Sequence, residues 1–412
     1  MPKKFNYKSA CKKLCAISKF GSKPGLSRIT KLLSLLSNPQ NNFKCILISG
    51  TNGKGSTVKF LSKILSSAGF CTGAFYSPSI FSFCERIQIN NKWINKSEFA
   101  ELFNIVAKKF KYFNKNNIPT FFETLCAMAF LHFSKKKCNY AVMEVGMGGR
   151  LDATNACTPI LSIITSIGIE HTRHLGNSIQ KIAFEKAGIM RANIPVICGA
   201  EGIAKKEIKK IAKQKHSKFY EIKKGYNGKL KAAGSFQKKN ASLAFIAAKI
   251  LGIKNSIIKK SLSSATMPAR WEKISSFPKT IIDCAHNPHA ASALLPDLKK
   301  DFSEKTNSPR ILLFAAMKDK NYLSVLQTLL PFFDIAIFCT LPFPRAENIN
   351  SLSNSFKKLK INKKIIIKKI KNPHNALKKA KSISGKKGRI LCIGSTYLLQ
   401  YLFGEEEFRI MG

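Results

Sequence analysis

Between the apolar run Phe43 to Ile48 and an amphipathic stretch lies ISGTNGKGST, Ile48 to Thr57. An extended run, a turn dense in glycine and then a helical pattern leave few arrangements open. Val58, Leu61, Ile64, Leu65 and Ala68 fall on one helical face, and Gly69 is a suitable C-cap. Strand, tight loop and helix make the first half of a βαβ unit, and the alternation recurs. Tyr140 to Val145 and Leu161 to Ile167 read as further strands, and a later set follows at Thr280 to Ala285, Arg310 to Ala316, Ile335 to Thr340 and Arg389 to Ile393. The expected fold class is α/β, with an N-terminal P-loop domain built on a mostly parallel sheet and a smaller C-terminal Rossmann-like α/β domain. Residues 274–279, rich in Ser, Pro and Lys, are the expected linker, which gives domains 1–273 and 280–412.

Length supports this division, because 412 residues exceed what one hydrophobic core usually organises. The net charge of +48 raises nucleic-acid binding as a class. Against it, only ten of the 70 basic residues are Arg, and the Lys excess is spread through every region. That is the pattern of tolerant, solvated surface positions rather than of a selected patch. No apolar run approaches the roughly 20 residues that span a bilayer. Lysines interrupt the N-terminal segment and make it a poor signal peptide, so the expectation is a cytoplasmic protein with no membrane partner. The twelve cysteines fall into no zinc-type pairs, which points to buried thiols in a reducing compartment.

A glycine-rich loop between strand and helix can wrap phosphates with backbone N–H groups and a helix N-terminus, and Lys54 can bind the outer phosphates. The spacing departs from G-x-x-x-x-G-K-[ST]: two residues separate Gly50 from Gly53, and Gly55 stands between Lys54 and Ser56. In an open parallel sheet, ligands collect at the carboxyl ends of strands. Glu144 sits near the end of the run YAVMEV, where a carboxylate needs a cation or donor, and His171 follows LSIITSIGI. Together they suggest a divalent metal, most simply Mg²⁺, held partly by substrate oxygens. The helical pattern Ser178 to Met190, with Ser178 as N-cap, puts Lys186 on the apolar face with Ile182. A buried ammonium must pair with a carboxylate, lose its proton or be modified.

These residues belong to a larger ordered set. GTNGKGST, YSPSIFSFCERIQIN, TFFE, EVGMGGRLDATN, the LG and EKAGI blocks, and DCAHNP stand in the order found in folylpolyglutamate and dihydrofolate synthases. The chain thus resembles that branch of the Mur ligase family from GLSRI near Gly25 to GSTYLL near Gly394. The resemblance implies ATP phosphates on Gly53, Lys54, Gly55 and Ser56, further ATP contacts from Asn240, Arg270 and Asp283, and Mg²⁺ ligands, two ions in all, at Ser77, Glu144 and His171. It aligns Lys186 with a carbamylated lysine and allows a monovalent cation nearby. Pterin or folate contacts are implied for Leu26, Ser27, Arg28, Thr120, Phe121, Phe122, Arg150, Leu151 and Asp152. His286 is implied as a residue of an interdomain catalytic cleft, so that Lys54, Lys186, Asp283 and His286 form the expected catalytic set.

The implied reaction joins L-glutamate to dihydropteroate, to a folate already carrying glutamate, or to both, through an acyl phosphate made with ATP. A monomer is expected, with these small molecules as its partners. Departures from the family pattern are Glu170 for Asp, Cys284 and Ala269 for Gly, Ser79 for His in S-P-H, and Phe236 for a His before Gln. Two other readings compete. A ligase of cell-wall nucleotide precursors is disfavoured by TFFE and LDATN, and a basic P-loop ATPase would show nucleic-acid-stimulated ATP hydrolysis and steeply salt-dependent binding.

Overall fold

A computed structural model describes residues 4–18, 24–303, 308–356 and 358–406. The chain divides into two compact units. The first holds Met1–Ser79, Phe83–Lys231 and Gln237–Ala265; the second holds Ile80–Ser82, Ala232–Phe236 and Thr266–Gly412.

The first unit is built on β1 (Lys44–Ser49), β2 (Thr72–Phe75), β3 (Ile87–Ile89), β4 (Lys92–Trp93), β5 (Tyr140–Glu144), β6 (Pro159–Ile164), β7 (Val196–Cys198) and β8 (Phe219–Glu221). Their order is β4-β3-β2-β5-β1-β6-β7-β8. β2, β5, β1, β6, β7 and β8 run parallel, and β3 and β4 close one edge antiparallel. β1 is central because both its faces are covered: Ile46, Leu47 and Ile48 are fully buried. Each such side chain contributes about 1.5–3 kcal/mol of burial. The helix Lys54–Ser67 buries Val58, Leu61, Ile64 and Leu65 as its periodicity predicts, and Gly69 at φ +93° turns the chain out of it.

The second unit carries β9 (Glu272–Ser276), β10 (Lys279–Ile282), β11 (Arg310–Phe314), β12 (Ile335–Phe338), β13 (Ile366–Lys369) and β14 (Arg389–Ile393), in the order β13-β12-β11-β14-β10-β9. All neighbours are parallel except β9 against β10. Two apolar layers, around Ile337, Cys392 and Leu398 and around Leu312, Phe338 and Leu391, cover this sheet.

The expected linker at 274–279 is not one. It forms the end of β9 and the turn into β10, and the second unit already begins at Thr266. An exposed edge strand tolerates the same Ser, Lys and Pro that mark a linker, so composition alone confuses the two. The helix expected over 178–190 spans Ile179–Ala187 and stops at Gly188, where a Cβ would collide with Arg150. No disulfide joins any of the twelve thiols, and all but Cys71 are buried. No helix among the described residues is long and apolar enough to cross a membrane.

Ala269, noted above as standing where glycine is common, has φ +49°. That left-handed conformation costs an L-residue roughly 1–2 kcal/mol. Ala269→Gly is therefore expected to raise stability by about 0.5–1 kcal/mol after the added entropy of the unfolded glycine is subtracted. A urea denaturation midpoint equal to or below that of the parent chain would contradict this.

Candidate functional site

The loop after β1 is tied on both sides. Gly50 sits at φ +142°, and a Cβ there would collide with Thr165 Oγ1, just past the end of β6. Thr165 Oγ1 donates to Asn52 O at 2.7 Å, Ser166 Oγ donates to the same carbonyl at 3.0 Å, and Thr51 N donates to Ser166 O at 2.7 Å. Gly168 N donates to Thr51 Oγ1 at 3.0 Å. Thr51, quoted only within GTNGKGST, and Thr165 and Ser166 were not among the expected site residues; for the latter two, hydroxyls at the end of an apolar run were the sequence signal. Gly53 is the N-cap of the helix Lys54–Ser67 at φ +90°, with no side-chain cap, so the first helical N–H groups stay available to an anion. A Cβ on Gly53 would collide with Asn240 Oδ1.

Two ammonium groups converge on one carbonyl here. Lys54 Nζ donates to Gly50 O at 3.0 Å and Thr51 O at 3.1 Å, and Lys186 Nζ donates to Gly50 O at 2.8 Å. Lys186 is only 2% exposed and lies 3.4 Å from Glu170 Oε1. Burial, chiefly, lowers its pKa to about 8; Glu170 opposes that shift and Lys54 adds to it. Ser56 Oγ is buried with no hydrogen-bond partner among the described residues. An orphaned hydroxyl, uncapped N–H groups and a lysine folded back on its own loop suit a phosphate chain.

At the end of β5, Glu144 is 5% exposed and its Oε2 accepts from Ser77 N at 3.0 Å. His171 starts the short helix Thr172–Leu175 from a left-handed φ of +50° and is exposed. Among the described residues no three His, Cys, Asp or Glu side chains converge as a closed metal cage. The carboxylate, imidazole and hydroxyl of Glu144, His171 and Ser77 are suited to a hard divalent cation that takes its remaining ligands from substrate and water.

Three distant blocks expected to bind the acceptor do meet. Arg28 Nε donates to Glu123 Oε2 at 3.1 Å, Gly25 N donates to Leu151 O at 3.3 Å, and a Cβ on Gly146 would press on Phe122. Leu26 and Ser27 open the helix Ser27–Ser34, and Thr120 caps the helix Phe121–Lys135 in a capping box with Glu123. Phe121 lies under the Arg86 guanidinium, 5.3 Å from ring centroid to Cζ. Glu123 was quoted only within TFFE, yet it joins two of the blocks and keeps Oε1 buried without a partner among the described residues. Arg150 pairs with Glu185 at 2.8 Å. Asp152 is spent on the loop itself, accepting from Met147 N, Thr154 N and Thr154 Oγ1.

In the second unit Asp283 is likewise engaged: Oδ2 accepts from Trp271 N and Oδ1 from Ala285 N, both at 2.7 Å. Burial pushes its pKa up to about 6, with Arg270 opposing. Arg270 donates to Ala269 O at 3.0 Å, and His286 Nδ1 lies 2.9 Å from Cys284 O.

Two mostly parallel sheets, with a glycine-rich loop at the carboxyl end of β1, are the architecture of a nucleotide-using α/β protein. Residues 48–259 match the Mur ligase middle domain, and residues 269–396 match the Mur ligase, glutamate ligase domain. The chain is 31% identical to the dihydrofolate synthase/folylpolyglutamate synthase of Bacillus subtilis (strain 168), over 92% of this chain and 94% of that one. It is similar to the crystal structure of folylpolyglutamate synthase from Thermotoga maritima, with 31% identity, a TM-score of 0.79 and coverage of 94% and 96%. The Mycobacterium tuberculosis folylpolyglutamate synthase complexed with ADP gives 25% identity, a TM-score of 0.86 and coverage of 96% and 98%. The chain belongs to the dihydrofolate synthase/folylpolyglutamate synthase family of Mur ligases, and it is an ATP-dependent ligase that forms carbon–nitrogen bonds.

Gly53→Ala brings both a left-handed φ and a collision with Asn240. The folded chain bears this strain, about 1–3 kcal/mol, and a turn that shifts to relieve it should weaken binding of a non-hydrolysable ATP analogue by roughly 10- to 100-fold, with a fall of a few degrees in melting temperature. Calorimetric titration showing parental affinity would refute the role given to this turn.

Proposed function

We propose that the chain joins L-glutamate to dihydropteroate and also to folates that already carry glutamate, on one site and with ATP. The observation that carries this reading is the meeting of the Gly25–Arg28, Thr120–Glu123 and Gly146–Asp152 segments in the unit that holds the phosphate loop. The double name of the Bacillus subtilis relative favours both acceptors over one.

A carboxylate and an ammonium do not form an amide in useful yield in water, so the carboxylate needs a better leaving group. Its oxygen attacks the γ-phosphorus of ATP, and ADP leaves with the electrons of the broken P–O bond, giving an acyl phosphate. The neutral amine of glutamate then adds to the acyl carbon, and collapse of the tetrahedral adduct expels phosphate and releases a proton. Lys54, turning from the Gly50 and Thr51 carbonyls to the phosphates, and the N–H groups of Gly53, Gly55 and Ser56 stabilise charge on the transferring group. Ser56 Oγ gains the partner it lacks. Asn240, Arg270 and Asp283 are the proposed further nucleotide contacts, and His286 serves the second half-reaction. Ser77, Glu144 and His171 would hold Mg²⁺, which supplies positive charge against the phosphate oxygens. Arg28, Phe121, Phe122 and Arg150 are proposed to hold the acceptor.

Lys186 we assign as a carbamate, formed when its neutral amine adds to CO₂ and loses a proton. With a pKa of about 8, roughly a tenth of the amine is neutral at pH 7, against less than a thousandth for an ordinary lysine. The simple ion pair with Glu170 is the competing role.

ADP release should depend on L-glutamate together with either dihydropteroate or tetrahydrofolate; turnover with neither would overturn the proposal, and turnover with one alone would restrict it to that acceptor. Lys54→Ala is expected to abolish release while the chain remains folded by circular dichroism. For Lys186, ¹³C-bicarbonate should give a carbamate NMR signal that Lys186→Ala loses, and turnover should fall in CO₂-depleted buffer. No signal and CO₂-independent turnover would leave the Glu170 pair as its role.

A further inference from the structure

Gln237 is the first residue of the helix Gln237–Ile250 and is fully buried. Its Oε1 accepts from Asn240 Nδ2 at 2.9 Å, three residues on, while its own Nε2 has no hydrogen-bond partner among the described residues. Asn240 is itself 6% exposed, and its Oδ1 is the atom that a Cβ on Gly53 would strike. The two amides and the turn of the phosphate loop therefore form one contact chain: Gln237, Asn240, Gly53.

The physical point is the near symmetry of an asparagine side chain. Turned by half a revolution about its last torsion, Asn240 would occupy the same volume but present NH₂ rather than oxygen to the loop. Packing barely separates these two states, so what keeps the side chain in place is its hydrogen bond. With Gln237 Oε1 turned toward it, Asn240 pairs through its NH₂, and its Oδ1 is left facing Gly53. A residue kept only for packing would be apolar here, because a buried amide donor without a partner costs about 1–3 kcal/mol.

We propose that Gln237 is a positioning residue of the nucleotide site, which acts by fixing the orientation of the Asn240 carboxamide against the Gly53 turn. The proposal rests on the reading of Asn240 as a nucleotide contact, and the experiment separates the two.

ADP affinity with Mg²⁺ is measured by calorimetric titration for the full chain, Gln237→Met, Asn240→Ala and the double variant, together with KM for each substrate. Methionine keeps the length and volume of glutamine without its polar atoms; Gln237→Leu serves in its place if the Met variant folds poorly. Gln237→Met is expected to weaken ADP binding about tenfold, the equivalent of one buried hydrogen bond, and to raise KM for ATP in proportion. KM for glutamate and for the acceptor should not move, which a general loosening of the unit would not spare. Because Gln237 acts through Asn240, the double variant should bind ADP no more weakly than Asn240→Ala alone. Parental ADP affinity in Gln237→Met beside a weakened Asn240→Ala would overturn the role of Gln237 alone, as would additive losses in the double variant. Parental affinity in Asn240→Ala would overturn the reading of Asn240 and this proposal with it.

Discussion

The carbonyl of Gly50 is the point on which the first unit turns. It receives Lys54 Nζ from the helix that the loop starts and Lys186 Nζ from the buried face of a separate helix, at 3.0 and 2.8 Å. A peptide oxygen can hold two cationic donors only where its own chain is fixed, and the threonine and serine beyond β6 fix it through Asn52. Bringing two like charges to one acceptor in a dry place is costly, and that cost is part of what lowers the pKa of Lys186 to about 8. A triphosphate offers Lys54 a stronger partner than two carbonyls, so the arrangement is preset for anion binding.

The glycines of EVGMGGRLDATN serve the same end by contact rather than by charge. Gly149 lies where a Cβ would press on the Glu185 and Lys186 carbonyls, and Gly188 where one would meet Arg150. The block and the lysine helix can therefore touch backbone to backbone, with Arg150 N donating to Glu185 O at 2.9 Å. The Gly149–Arg150 segment and the loop after β1 are in this way braced by one helix, Ile179–Ala187. Asp152, by contrast, gives both carboxylate oxygens to its own loop, and Asp283 in the second unit gives both of its oxygens to backbone N–H groups. Their chemistry in this structure is to hold turns in shape.

The departures from the family pattern sort by physical cause. Ala269 occupies a left-handed position that suits glycine better. Glu170 reaches the buried Lys186, and Ser79 accepts from Arg86 Nε at 3.1 Å. Phe236 packs on the apolar layer around Leu312 and Phe338. Cys284 is buried in the apolar layer around Ile337 and Cys392, at a backbone conformation that does not require glycine.

The sequence by itself determined the central strands, the loop and helix at Ile48 to Thr57, and the burial of Lys186, because each depends on periodicity or on residue types within one short window. β2, the short strands β3, β4, β7, β8 and β13, and the true start of the second unit were decided only in three dimensions. Strands of two to four residues are too short to show a period, and a unit that draws in 80–82 and 232–236 has no contiguous signature. The same holds inside the site. Thr165, Ser166, Glu123 and Gln237 act through partners between 3 and 114 residues away, and those partners become neighbours only once the chain has folded. Motif spacing records which groups touch a ligand; the groups that hold them in place are selected by packing, which no local window of sequence contains.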